Sequence, residues 1–148
     1  MRVAVLSGTH RYQLDSKGRI SLPQRFREAF LEGAWMTLGQ DGCLAVYPGD
    51  AWERWSGGID DSPNALGNDR AFARIAFGLA EPVELDGQGR VTIPQRLRTQ
   101  VGIGKDVVVI GVRSRLEVWD GPTWDEYFGR HAPNFSAGDL APGGRSRE

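Results

Sequence analysis

The residues of this sequence whose types and spacing best suit chemistry belong to the motif Asp-x-x-Gly-Arg, which occurs as DSKGR at 15–19 and as DGQGR at 86–90. Paired carboxylates suggest a hydrolase, in which Asp15 and Asp86 would share acid/base work across a pseudo-twofold axis. Paired arginines suggest DNA recognition, because a guanidinium can form two hydrogen bonds with the O6 and N7 atoms of guanine. The residues around the motif distinguish between these chemistries.

The hydrolase interpretation fits the motif poorly. Aspartic proteases resemble one another in a tight Asp-Thr/Ser-Gly turn, whereas here the glycine comes three residues after the aspartate and an arginine follows at once. A neighbouring guanidinium keeps a carboxylate ionised, so Arg19 and Arg90 would prevent Asp15 and Asp86 from sharing a proton. We therefore predict that the protein is not an enzyme and that it needs no cofactor.

The motif lies in an internal repeat, because YQLDSKGRISLPQRFR at 12–27 matches VELDGQGRVTIPQRLR at 83–98. Weaker similarity continues from MTLGQDGCLAVYPGDAW to VVVIGVRSRLEVWDGPTW, which gives units of about 45 residues. Each unit is predicted to contain a strand, a turn, a strand, a short helix, two further strands and an aromatic-rich segment. One unit cannot close a barrel, so two copies are expected to supply the halves of one core.

Within each copy, the aspartate and the glycine have structural roles. Gly18 and Gly89 stand where a tight turn needs a positive φ, and Asp15 and Asp86 can accept hydrogen bonds from the backbone N–H groups of the turn. A proline that suits the first turn of a helix follows each short strand. These four residues are predicted to form the turns rather than to contact DNA.

The chain has a net charge of −1 and a sequence pI of about 6.1, so DNA binding would have to come from a local basic patch. The predicted DNA-binding residues lie on the turns and on the short helices that follow: Lys17, Arg19, Arg25, Gln88, Arg90 and Arg96. Arg27 and Arg98 are further basic residues of these helices. Two alternatives stay open, since the turn arginines could pair with the nearby aspartates and the helix arginines could belong to a solvated face.

At these residues the sequence resembles the MraZ family, bacterial transcriptional regulators built from two tandem AbrB-like units. The resemblance covers roughly residues 8 to 130 and rests on LDSKGRISLP in one unit and LDGQGRVTIP in the other. It implies a mainly β fold with short helices, a double-split β-barrel of swapped hairpins. It also implies a ring-shaped homo-oligomer that binds double-stranded DNA at short direct repeats, as a repressor of the cell-division and cell-wall operon.

The resemblance assigns the DNA-facing loops to the two Asp-x-x-Gly-Arg motifs. Lys17 has Gln88 as its counterpart, so the first loop is expected to be the stronger electrostatic anchor. A different possibility is an antitoxin-like module with the same barrel, although such antitoxins typically have one unit and a disordered tail that wraps a toxin. Cytoplasmic location at the nucleoid is expected, because the N-terminus lacks the features of a signal peptide or membrane span.

The remaining predictions concern the organisation of the chain. The predicted segments are a first unit at 8–55, a loop and connecting helix at 56–80, a second unit at 81–130 and a disordered tail at 131–148. Within the connection, a helix from Arg70 to about Gly78 is expected to carry an apolar stripe. The aromatic residues that follow the last strand of each copy are expected to pack rather than to stack on bases, and these are Trp52, Trp55, Trp119, Trp124, Tyr127 and Phe128.

Cysteine and histidine do not suggest a metal site. His10 and His131 lie far apart and outside any ligand spacing, and Cys43 is the single cysteine of the chain. We expect Cys43 to fill a small apolar or turn site.

Overall fold

The computed structural model describes residues 5–140 and 142. In this part of the chain the first copy contains four strands: β1 (Leu6–Gln13), β2 (Arg19–Ser21), β3 (Ala34–Leu38) and β4 (Leu44–Pro48). The second copy contains four more: β5 (Glu81–Val83), β6 (Arg90–Thr92), β7 (Asp106–Arg113) and β8 (Arg115–Asp120). The α-helices are α1 (Gln24–Arg27), α2 (Gly49–Gly57), α3 (Gly67–Gly78), α4 (Gln95–Val101) and α5 (Gly121–Ser136), and a 3-10 turn spans Glu28–Phe30.

The strands of the two copies are exchanged. One sheet has the order β1-β7-β8-β4-β3-β5, and β2 pairs with β6 in a second sheet. This order is unchanged when each strand is replaced by its counterpart in the other copy, because β1 pairs with β7 as β5 pairs with β3. The prediction of a mainly β fold with short helices, built from two AbrB-like units, is confirmed. The two sheets enclose the core without joining into one continuously hydrogen-bonded barrel.

The core lies between the two sheets and is filled by equivalent residues of both copies. In β2 and β6 the middle residue, Ile20 or Val91, is buried, whereas the two flanking residues are at least partly exposed. The short helices α1 and α4 bury Phe26 and Leu97 in the same cluster. Full burial of one such side chain contributes about 1.5–3 kcal/mol, so the repeated apolar positions stabilise the arrangement in which the copies interlock.

The aromatic residues form packed clusters beside the sheet, as expected. Trp52 stacks on Trp35 with ring centroids 5.3 Å apart and is buried. In the second copy Trp119 is buried and contacts Trp124 edge-on at 5.3 Å. Phe128 differs from the others because 56% of its surface is exposed.

Cys43 belongs to the aromatic cluster of the second copy, where it packs with Val108 and Trp119. Its thiol donates a hydrogen bond to the backbone oxygen of Gln40 at 3.2 Å. Burial raises the pKa of this thiol to about 12, so it stays protonated at neutral pH. The expectation of a small apolar site is confirmed.

The connection between the copies differs in detail from its prediction. Helix α2 continues to Gly57, and helix α3 begins at Gly67, three residues before the predicted start. Only Ala76 of the predicted stripe is buried, since Phe72 and Ile75 are 40% and 51% exposed. A hydrogen bond joins helix α3 to strand β3, because the buried Thr37 hydroxyl donates to the backbone oxygen of Ala76 at 2.6 Å.

The C-terminal helix also passes a predicted boundary, because α5 includes residues 131–136 of the segment expected to be disordered. Asp120 caps this helix through hydrogen bonds to Thr123, and the rings of Tyr127 and His131 are 4.3 Å apart. A good cap and a side-chain contact one turn apart stabilise helix in a sequence whose composition suggests a tail. The rest of the predicted tail lies partly outside the described residues.

None of the helices in the described part of the chain is long and apolar enough to cross a membrane.

Candidate nucleic-acid interface

The first Asp-x-x-Gly-Arg motif forms a compact turn between β1 and β2, here called loop 1 (Asp15–Arg19). The Oδ1 atom of Asp15 accepts hydrogen bonds from the backbone N–H groups of Lys17 at 2.8 Å and Arg19 at 2.9 Å. Gly18 has a φ of 75°, in the left-handed region that glycine occupies without strain. The side chain of Asp15 therefore organises the turn, as predicted from the sequence.

The second motif repeats this geometry in loop 2 (Asp86–Arg90). Asp86 Oδ1 accepts hydrogen bonds from the backbone N–H groups of Gln88 and Arg90, both at 2.9 Å. Gly89 has a φ of 74°. Two turns of the same shape follow from two copies of the same residue pattern.

The turn arginines form the ion pairs that the sequence left as an alternative. Arg19 donates from Nε to Asp15 Oδ2 at 2.7 Å, and Arg90 donates from Nε to Asp86 Oδ2 at 2.8 Å. These contacts use only the Nε edge. Within the described part of the chain, no hydrogen bond engages the Nη atoms of either arginine. The ion pair thus orients each guanidinium through its Nε atom.

The pairing of β2 with β6 brings the two loops together. Ile20 lies opposite Val91 in this sheet, so the arginines that begin the two strands flank the pseudo-twofold axis. Arg90 Nη1 is 4.0 Å from Asp15 Oδ2, which links loop 2 to loop 1. The two motifs therefore form one surface rather than two separate sites.

The loops differ at their exposed tips, where Lys17 and Gln88 occupy equivalent positions. Both are exposed, and each is fixed through its backbone N–H by the aspartate of its own turn. Only loop 1 therefore carries an exposed ammonium group at its tip. The expectation that loop 1 is the stronger electrostatic anchor stays a prediction.

The helix arginines Arg25 and Arg96 make contacts away from the motifs. Arg25 donates a hydrogen bond to the backbone oxygen of Ser7. Arg96 donates from Nε to Glu81 at 2.6 Å and from Nη2 to the backbone oxygen of Gly78 at 3.4 Å. Both side chains are directed to the start of a strand, and the hydrogen bonds of the described residues join neither of them to a loop. Their proposed role in DNA binding remains a prediction.

Two further arginines, for which no distinct role was predicted, lie against the loops. Arg27 donates from Nε to the backbone oxygen of Leu22 at 3.1 Å, and Arg98 donates likewise to Ile93 at 3.1 Å. Both are half-buried, whereas Arg25 and Arg96 are exposed. Their repetition at the same place in both copies is the feature of the sequence that could have marked these two arginines. The partner of each arginine depends on the tertiary structure.

Comparison with known proteins identifies the family of this chain. A family model described as "MraZ protein, putative antitoxin-like" matches the chain twice, at 5–75 and at 76–141. The chain belongs to the MraZ family. The resemblance inferred from the two motifs is confirmed.

The curated relatives carry the name transcriptional regulator MraZ. The protein of Saccharopolyspora erythraea is 38% identical over 138 residues, which cover 92% of this chain and 96% of the relative. That of Acetivibrio thermocellus is 40% identical over 134 residues, covering 90% and 92%. That of Alkaliphilus metalliredigens is 41% identical over 120 residues, covering 81% and 84%. The MraZ family consists of regulators rather than enzymes, in agreement with the prediction that this chain is not an enzyme.

The state of the aspartates argues against hydrolysis on independent grounds. The backbone N–H of Arg19, followed by its side chain and the N–H of Lys17, holds the pKa of Asp15 at about 2 against a smaller opposing effect of desolvation. The pKa of Asp86 is also lowered, chiefly by the backbone N–H of Arg90. Neither carboxylate can hold a proton for acid catalysis near neutral pH.

The lowered pKa of Asp15 predicts a specific response to acid. Because this pKa is below the value of about 3.9 in the unfolded chain, the ionised carboxylate stabilises the fold above about pH 4. That contribution should be lost as the pH falls from about 4 toward about 2. Denaturant unfolding of the wild type and of Asp15→Asn at a series of pH values measures it. The advantage of the wild type should shrink with acid, and a constant difference would contradict the prediction.

Proposed function

We propose that this protein is a sequence-specific DNA-binding transcriptional regulator that contacts base pairs through Arg19 and Arg90. The observation that carries the proposal is the pair of adjacent loops in which each guanidinium is oriented through Nε. Among the described residues the Nη atoms donate no hydrogen bond, although Nη1 of Arg90 lies 4.0 Å from Asp15 Oδ2. Fixing the side chain in advance reduces the entropy lost on binding, and arginine is the residue that most often reads guanine in the major groove.

The charge of the chain supports a local mode of binding. With a net charge of −1, the protein cannot rely on general attraction to DNA, so phosphate contacts must be concentrated near the loops. Lys17 provides such a contact at the tip of loop 1, and Gln88 provides a neutral one at loop 2. We further propose that Arg25 and Arg96 bind DNA phosphates, which would replace their present partners Ser7 and Glu81.

The biological target follows the family resemblance. We propose that a ring-shaped homo-oligomer binds short direct repeats upstream of the cell-division and cell-wall operon as a repressor, in the cytoplasm at the nucleoid. A head-to-tail interface repeats the orientation of the loops from subunit to subunit, which suits direct repeats better than palindromes. Native mass spectrometry measures the number of subunits.

Selection of bound fragments from the genome of the source organism, followed by footprinting, tests this function. The expected result is enrichment of one region that contains direct repeats, with protection of each repeat. Fragments without a common sequence would overturn sequence-specific recognition.

The difference between the loop tips predicts different salt dependences. Each phosphate contact contributes a slope of about −0.9 to the plot of log K against log salt concentration. Lys17→Ala should make the slope of this plot shallower by about one phosphate contact for each subunit that binds DNA. Gln88→Ala is the matched control at the equivalent position and should preserve the slope. Equal slopes for wild type and Lys17→Ala would contradict the role of Lys17.

A further inference from the structure

The glycine of each loop is in contact with an arginine of the other copy. A Cβ atom at Gly18 would lie 2.8 Å from Cζ, 2.9 Å from Nη2 and 3.1 Å from Nη1 of Arg98. Such similar distances mean that the guanidinium faces the glycine with its flat side. A Cβ atom at Gly89 would likewise overlap the Nε and Cζ atoms of Arg27. Each glycine therefore gives an arginine room to approach the backbone of the loop.

Backbone hydrogen bonds connect the same partners. The N–H of Ile93 donates to the oxygen of Gly18 at 2.9 Å, while the oxygen of Ile93 accepts the Nε hydrogen bond of Arg98 at 3.1 Å. Ile93 thus links the arginine to the loop on which that arginine lies. All of the supporting groups belong to the second copy, although the supported loop belongs to the first.

The opposite arrangement holds for loop 2. The N–H of Leu22 donates to the oxygen of Gly89 at 3.0 Å, and the oxygen of Leu22 accepts the Nε hydrogen bond of Arg27 at 3.1 Å. Support is therefore crossed, since α1 and the end of β2 hold loop 2 whereas the end of β6 and α4 hold loop 1.

We propose that Arg27 and Arg98 are positioning residues for the base-reading arginine of the opposite copy. The inference rests on the proposed function, because in it Arg98 holds Arg19 in position for base contact and Arg27 does the same for Arg90. Each reading arginine directly follows the supported glycine in sequence, so a shift of the glycine peptide moves the guanidinium. Productive contacts tolerate displacements of only about half an ångström, and locked neighbours provide that precision.

The shape of the side chain is essential to this role. A planar guanidinium can lie flat on a glycine while its Nε donates to a carbonyl oxygen, whereas a lysine ammonium has neither the plane nor the Nε donor. Retaining the charge should therefore not retain the function. The competing explanation is that Arg27 and Arg98 bind phosphates directly, in which case lysine should substitute well.

The test compares base preferences in full-length variants, using an operator probe in which each base pair is replaced in turn. Arg98→Gln should reduce discrimination at the positions affected by Arg19→Ala, and Arg27→Gln at those affected by Arg90→Ala. The reduction should lie between about twofold and a hundredfold, the range of coupling between residues in contact. Arg98→Lys should reproduce the loss, and Arg54→Gln on α2 is the charge-matched control that should not.

Three results would overturn the proposal. Arg98→Gln could affect the positions read by Arg90, which would show support within a copy. It could preserve every base preference while reducing the salt slope by about one contact, which would show a phosphate contact. Arg98→Lys could behave as the wild type, which would show that charge suffices. By contrast, base preferences that survive Arg19→Ala and Arg90→Ala would refute the proposed function itself.

Hydrogen exchange in the free protein provides a measurement that needs no DNA and that separates support from loss of folding. Arg98→Gln should accelerate exchange at the amides of Lys17 and Arg19 more than at those of Gln88 and Arg90, and Arg27→Gln should do the reverse. Crossed support would be overturned if either variant accelerated amide exchange equally in loop 1 and loop 2. It would also be overturned if every variant, including Arg98→Lys, exchanged throughout the protein rather than in one loop.

Discussion

Replacement of Arg19 by alanine is expected to abolish sequence-specific DNA binding, and replacement of Arg90 to weaken it. A bidentate arginine contact with a base contributes about 1–3 kcal/mol of discrimination, or roughly a 5- to 150-fold change in affinity at each site. Every subunit that engages DNA loses this contact, so the effect multiplies in an oligomer. Competition binding of an operator probe against unrelated DNA measures the loss. The larger effect is expected for Arg19, because Lys17 is the proposed phosphate contact of the same loop.

A control separates loss of recognition from loss of charge. Arg54→Ala removes the same charge from an exposed ion pair with Asp50 on α2 and should leave the ratio of specific to nonspecific affinity unchanged. Wild-type specificity in a folded Arg19→Ala, Arg90→Ala double variant would rule out both residues as base readers.

The second large effect is expected from Gly89→Ala, which should reduce both stability and DNA affinity. Alanine in the left-handed region costs about 1–2 kcal/mol, and here its Cβ would also overlap Arg27. We expect a total loss of roughly 2–4 kcal/mol in the free energy of unfolding, measured by denaturant titration. The displaced loop should also read DNA with weaker discrimination.

The same loop provides the matched control for this change. A Cβ atom at Gly87 would meet no heavy atom within 4 Å, and its φ lies outside the left-handed region. Gly87→Ala should therefore leave stability within about 0.5 kcal/mol of the wild type, as is usual for surface substitutions. Equal destabilisation by the two variants would show that neither the positive φ nor the contact with Arg27 constrains Gly89.

Local features of the two motifs were predictable from the sequence. The roles of Asp15 and Gly18 follow from short-range hydrogen bonding and backbone sterics, and their duplication gave the same result at Asp86 and Gly89. The number of strands and their succession along the chain followed from the pattern of apolar and turn residues and from the repeat. These predictions succeeded because each depends on residues close to one another in sequence.

The features that were missed depend on partners distant in sequence. Nothing near Arg98 indicates that it lies on Gly18, because the contact exists only after β2 has paired with β6. The ion pair of Arg96 with Glu81 was likewise not predicted, because it joins α4 to the start of β5. The role of Arg96 in DNA binding stays a prediction. The end of α5 was misjudged for a different reason, since composition suggested a tail where the cap at Asp120 and the contact of Tyr127 with His131 maintain a helix.

The exchange of strands has a consequence for how the chain reaches its fold during synthesis. Strand β1 leaves the ribosome before any strand of the second copy, yet its partner is β7, with Leu6 opposite Arg113. Contacts between such distant positions slow folding, and the edge of β1 that pairs with β7 stays unpaired until β7 has been made. A ribosome that pauses within the second copy would therefore leave β1 exposed and open to pairing with a neighbouring nascent chain. The duplication that builds the proposed DNA-binding surface makes the first copy dependent on completion of the second.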